Sequence, residues 1–225
     1  MSNDNLGEST LNLIASEDFT NVLAQLTKNV LSKELLDGTT REIIDLIPAV
    51  KVFKGILETY RNAQDYLLRK KLLLFLESLE NLSEEGRSNL ISNIKNDENF
   101  RQTIGDNLIL VIDMLDDIQK PKILGNFFKA YLENEITYIV FRKLEKALRQ
   151  ISISSIHTLE LFYSTDNIID DKKISNMNYF DSYAMQELIS TGVVTSHRSF
   201  LAPKGTKAGC TDNELGRLFL KYMDS

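Results

Sequence analysis

The chain has no tryptophan, one cysteine, two histidines and three prolines among its 225 residues. Each scarcity excludes something. The sole cysteine, Cys210, rules out an internal disulfide and fits a reducing compartment. His157 and His197, even with Cys210, cannot furnish the several nitrogen and sulfur ligands that a closed zinc site needs. No apolar run reaches the ~20 residues of a membrane-spanning helix. The most apolar stretch, Leu72 to Leu76, is bracketed by Arg69, Lys70, Lys71, Glu77 and Glu80. The opening MSNDNLGEST lacks the charged-then-apolar pattern of a leader. We therefore expect a soluble, cytoplasmic protein with no transmembrane segment. The net charge of −6 argues against general nucleic-acid binding.

What is present is aliphatic and helical in pattern. The organising stretch runs from Pro48 to Glu80. Val52, Phe53, Ile56, Leu57, Tyr60, Leu67, Leu68, Leu72, Phe75, Leu76 and Leu79 recur at steps of three and four, which places them on one broad face of a helix. Pro48 suits the first helical position, and Gly55 is the weakest point for a bend. Because Leu72 to Leu76 is apolar nearly all round, this helix is expected at the centre of a bundle.

Start and stop signals divide the rest of the first 150 residues. Residues 1–9 are polar and expected to be disordered. Ser16 reads as a cap for a helix through Val22, Leu26 and Val30, ended by Asp37-Gly38. Thr39 and Glu42 form a capping box. Ser83 caps a helix carrying Leu90, Ile91 and Ile94; Asn96-Asp97 breaks it and caps the next, with Phe100, Ile104, Leu108, Val111, Ile112 and Leu115. Pro121 opens a helix with Leu124, Phe127, Phe128 and Tyr131. Glu133-Asn134-Glu135 is a turn, and Thr137 caps a helix through Phe141, Leu144 and Leu148. Short connections predict that sequential helices pack as antiparallel neighbours.

The pattern changes after Gln150. Ser152 or Ser154 caps a helix with Ile156, Leu159, Phe162 and Tyr163. The polar stretch from Asp166 to Asn178 reads as a loop or a short helix. Phe180 to Thr191 is a helix ended by Gly192. A hairpin is expected between Val193 and Thr211, and a last helix to Tyr222 is expected to start from a Thr211/Glu214 capping box. The fold class is mainly α: a multi-helix bundle over residues 1–150, then a small winged-helix-like α+β module over 151–225.

Two resemblances accompany this order. The run GCTDNELGRLFLKYM is similar to the end of bacterial winged-helix-like modules, where a short strand leads into a capped closing helix. The run FFKAYLENEITYIVFRKLEKAL resembles uncharacterised bacterial helical proteins and the tellurite-resistance B-like fold, with Glu133-Asn134-Glu135 where that fold favours Asp-Gly. The resemblance implies an accessory protein of a bacterial stress or phage-defence system.

Three clusters merit weighing as sites. Asp113, Asp116 and Asp117 stand at i, i+3 and i+4 on one helix end, a spacing that can hold a hard cation, though such ions want more oxygens than are visible. Arg69, Lys70 and Lys71 form the densest basic cluster. It can touch phosphates or an anionic membrane surface, but more often such a cluster is a solvated face. In the C-terminal module the basic residues Arg198, Lys204 and Lys207 lie on the expected wing, whereas the 180–191 helix carries Asp181 and Glu187 and no Lys or Arg. From Ile151 onward seven basic residues face nine acidic ones, a net of −2. A DNA reader usually shows a basic face. No catalytic motif, metal or cofactor is expected. The leading reading is a non-catalytic protein that docks a protein partner. The alternative is a DNA-binding regulator using Arg198, Lys204 and Lys207.

Overall fold

The computed structural model describes residues 4–24, 63–97, 100, 104–164, 168–170, 182–196 and 209–224. It is mainly α-helical, with a small sheet near the C-terminus. The chain divides into two compact units, Met1–Ile136 and Thr137–Ser225. The helix beginning at Tyr138, assigned from sequence to the bundle, thus groups with the C-terminal unit.

The first unit contains α1 (Asp4–Ala15), α2 (Ala63–Glu77), α3 (Glu84–Asn96), α4 (Gly105–Met114) and α5 (Lys120–Leu132). The start of the chain is a correction: Asp4 to Ser9 are helical, and Leu6 is buried. Their polar composition hides a face of Leu6, Leu13 and Ile14 that packs inward. Ser16 stands just past the end of this helix, its hydroxyl donating back to the Leu13 carbonyl at 2.8 Å and its own carbonyl accepting the Phe19 N–H at 3.2 Å. A further helical segment begins at Phe19. The Asp37-Gly38 stop, the Thr39/Glu42 box, Pro48 and Gly55 lie outside the described residues.

Helix α2 ends at Glu77 and is followed by turns to Asn81, so it stops short of Glu80. Leu72, Leu73, Phe75 and Leu76 are all buried, as expected for a helix apolar on several sides. Leu67 departs from the pattern and is exposed. Helix α2 packs on α4 and α5, and α1 packs on α3 and α4. These main pairings skip sequence neighbours, contrary to expectation. With apolar residues on more than one side, α2 can take α4 and α5 as partners, leaving α3 to pack on α1 and α5. At the α1–α4 crossing a Cβ on Gly7 would collide with the backbone of Gly105, so the two helices touch main chain to main chain.

Several caps read from sequence are present. Ser83 accepts from the Gly86 N–H at 3.1 Å. The acid that would complete a capping box is missing at Gly86, and Glu133 supplies it from another helix by accepting the Ser83 N–H at 2.9 Å. Asp97 accepts from the Phe100 N–H at 2.9 Å. Pro121 stands in the first turn of α5. Asn134 adopts φ 58, the left-handed conformation that ends α5.

The second unit contains α6 (Tyr138–Gln150), α7 (Ile153–Ser164), β1 (Ile168–Asp170), α8 (Ser182–Ser190), β2 (Thr195–Ser196), β3 (Gly209–Thr211) and α9 (Glu214–Met223). Thr137 caps α6, accepting from the Val140 N–H at 3.4 Å. The three strands form one antiparallel sheet in the order β1-β3-β2. Ile168 pairs with Thr211, Asp170 with Gly209, and Thr195 with Thr211. Strand β1 falls in the polar stretch read as a loop or short helix. The strand itself holds just two apolar residues, Ile168 and Ile169, too short a run to show a period. Helix α7 packs on α8 and α9, and α6 packs on α9. Phe141, Leu144, Leu148, Leu159, Phe162, Leu188, Val193 and Phe219 are buried.

Candidate partner-docking surface

Helix α8 buries Ala184, Met185 and Leu188. Ser182, Tyr183, Gln186 and Ser190 face outward, and Tyr183 is 74% exposed. Gly192, with φ 81, ends the run as expected, and the chain turns through buried Val193 and Val194 into β2.

Of the two acids read on this helix, Glu187 lies among the described residues. Glu187 is turned toward α7, where it accepts the Ser152 N–H at 3.0 Å, the Ser152 hydroxyl at 2.8 Å and the Ser155 hydroxyl. Ser152 thus ties the start of α7 to α8 by donating both its N–H and its hydroxyl to Glu187. Asp181 lies outside the described residues, so the described outer face of α8 carries no charge.

A polar knot fixes the base of the hairpin. The Tyr163 hydroxyl donates to the Val193 carbonyl at 2.6 Å and accepts the Asn213 N–H at 3.0 Å. Burial pushes its pKa above the ordinary tyrosine value. A Cβ on Gly216 would collide with this hydroxyl, so the first turn of α9 can approach only without a side chain. Asn213, not Thr211, caps α9: its side-chain oxygen accepts the Gly216 N–H at 2.9 Å. Its amide donates to the Gly192 carbonyl at 2.9 Å and the Thr195 hydroxyl at 3.0 Å. Thr211 is held in β3, and the expected Thr211/Glu214 box does not form. Phe219 and Tyr222 face the core as expected, whereas Leu215 and Leu218 are half-buried.

The wing residues Arg198, Lys204 and Lys207, together with His197, lie outside the described residues. His157 is exposed and contacts Glu160 within α7, at 3.3 Å. Cys210 is buried in the central strand.

The acidic trio does not assemble. Helix α4 stops at Met114, so Asp116 and Asp117 leave the helix on which Asp113 lies. Asp116 pairs with buried Lys120. Burial alone would raise its pKa, but the hydrogen bond and charge of Lys120 outweigh that and hold it below the ordinary value. Asp117 accepts the Gln119 N–H at 2.7 Å. Among the described residues no group of three His, Cys, Asp or Glu side chains is placed to hold a metal ion. The basic cluster is equally divided. Lys71 is buried and donates to the Asp113 carbonyl at 2.7 Å, at the negative end of α4, while Arg69 and Lys70 are half-buried. It is not one solvated face.

Sequence reasoning missed a charged feature of α6. Glu145 is 1% exposed. Arg142 Nη1 lies 2.5 Å and Arg149 Nε 3.1 Å from its oxygens, paired by charge without aligned hydrogen bonds. Burial raises the Glu145 pKa, and the two guanidinium groups only partly offset this. The four basic residues to one acid in YIVFRKLEKALRQ mark a cationic helix, but not that its acid is buried.

Compared with family models, curated proteins and solved structures, the chain matches none.

Proposed function

We propose that the chain is a non-catalytic interaction protein whose C-terminal unit is a winged-helix-like module that docks a protein partner through α8. The setting is the one the resemblance implies, a bacterial stress or phage-defence system. The order α7-β1-α8-β2-β3-α9, with β3 between β1 and β2, supports the module reading. The outer face of α8 carries the choice of partner. Tyr183 stands out from uncharged Ser182, Gln186 and Ser190, with no Lys or Arg on the helix. A helix lying against phosphates needs cations, whereas an exposed aromatic amid neutral polar groups suits a protein interface.

An electrophoretic shift with random duplex at low salt tests this. Little retardation is expected. Tight, salt-sensitive binding that vanishes when Arg198, Lys204 and Lys207 become Ala would establish the regulator reading instead. A partner recovered from the native host and identified by mass spectrometry should bind the purified chain and lose affinity on Tyr183→Ser.

A further inference from the structure

Helix α6 separates its charges by depth. Its four basic residues are Arg142, Lys143, Lys146 and Arg149, and its one acid is Glu145. Glu145 is drawn inside, while Lys143 and Lys146 are exposed, and Arg142 and Arg149 remain 38% and 32% exposed. Residues 139, 142, 143, 146, 149 and 150 fall on one side of a helix of period 3.6. Arg142 to Arg149 therefore spans about 10 Å of a single cationic stripe. Its N-terminal end is an aliphatic side chain, Ile139, 67% exposed. This stands out on a chain of net charge −6.

We propose that the outer face of α6 is a docking surface for an acidic protein segment, one that aligns carboxylates with the stripe and places an apolar side chain on Ile139. Charge complementarity argues for the carboxylates, and the two guanidinium forks match carboxylate geometry. Glu145 stands three residues after Arg142 and four before Arg149, and it tethers both. Holding those long side chains in place beforehand lowers the entropy lost on binding. Ile139 argues for a polypeptide partner, since a phosphate backbone offers no apolar group to cover it. A lipid surface needs a broader apolar face than one aliphatic residue. This surface is separate from the outer face of α8 and does not depend on it.

Fluorescence anisotropy on the full chain tests the proposal. The probe is a labelled helical peptide about four turns long, with Glu along one face and a terminal Leu. Controls are the same peptide with Gln for Glu and a short labelled DNA duplex. The acidic peptide should bind saturably and weaken as salt rises, and the Gln peptide should bind about tenfold less tightly or worse. Lys143→Glu with Lys146→Glu should cost at least about tenfold, and Ile139→Ser a smaller but measurable loss, with thermal melting unchanged because all three sites are exposed. Absent binding of the acidic peptide, equal binding of the Gln peptide, or indifference to the double substitution would overturn the proposal. So would tighter binding of the duplex that is lost on Lys143→Glu/Lys146→Glu but unaffected by Ile139→Ser, which would assign the stripe to nucleic-acid phosphate.

Discussion

Phe75 shows how a single side chain anchors the first unit. Its ring lies 6.0 Å from that of Phe128, and both are fully buried between α2 and α5. Phe75→Ala should cost about 3–5 kcal/mol in denaturant unfolding, because a cavity opens in a packed interior. Titrating carboxylates act at the same scale, and two of them have opposite signs. The folded pKa of Asp116 lies below its ordinary value of 3.8. Its contribution is thus complete above that value and lost as pH falls through the folded one. Asp116→Asn should cost about 1 kcal/mol near neutrality: Lys120 is buried, but Asp116 is 68% exposed and solvent screens the pair. The penalty should shrink on acidification, measured as urea midpoints across pH. Glu145 behaves in reverse. Its folded pKa is raised above 4.5, so its contribution is complete below that value and lost as pH rises through the folded one. Glu145→Gln should accordingly compare more favourably with the wild type at neutral pH than in acid.

Elements are held at their ends. The caps at Ser83 and Thr137 were legible because each needs only a short-range signal: a side-chain acceptor two or three residues before the N–H it serves. The cap of α9 was misread because Thr211 and Asn213 offer equivalent local signals. The choice fell to the sheet, which keeps Thr211 in register with Ile168 and Thr195. Asn213→Ala should therefore cost about 1–2 kcal/mol, whereas Thr211→Ala should stay below about 0.5 kcal/mol. Thermal melts of the two variants compare them directly, and the reverse order would restore Thr211 as the cap.

At the scale of the whole molecule, chelation is informative. Asp116 is engaged by Lys120 and Asp117 by a backbone N–H, and neither shares a helix with Asp113. Adding a chelator should leave the melting temperature unchanged. A large drop would reveal a bound ion on which the fold depends.

What the sequence determined by itself is whatever follows from local periodicity and turn chemistry. The helices with apolar faces, the burial of Leu72 and Phe75, the Asn134 turn, the Gly192 stop and the mainly helical class all belong there. Tertiary structure alone decided where charges go. Nothing in the spacing of Lys71, Lys120, Glu145 or Glu187 distinguishes them from surface residues. Lys71, Lys120 and Glu145 are buried and Glu187 is half-buried because each lies on a helix face that packing covers. Lys71 and Glu187 meet partners distant in sequence, Lys120 and Glu145 partners within four residues. The three-residue strand β1 and the pairing of α2 with α4 and α5 belong to the same group. Both depend on contacts between residues distant in sequence, which no local pattern encodes.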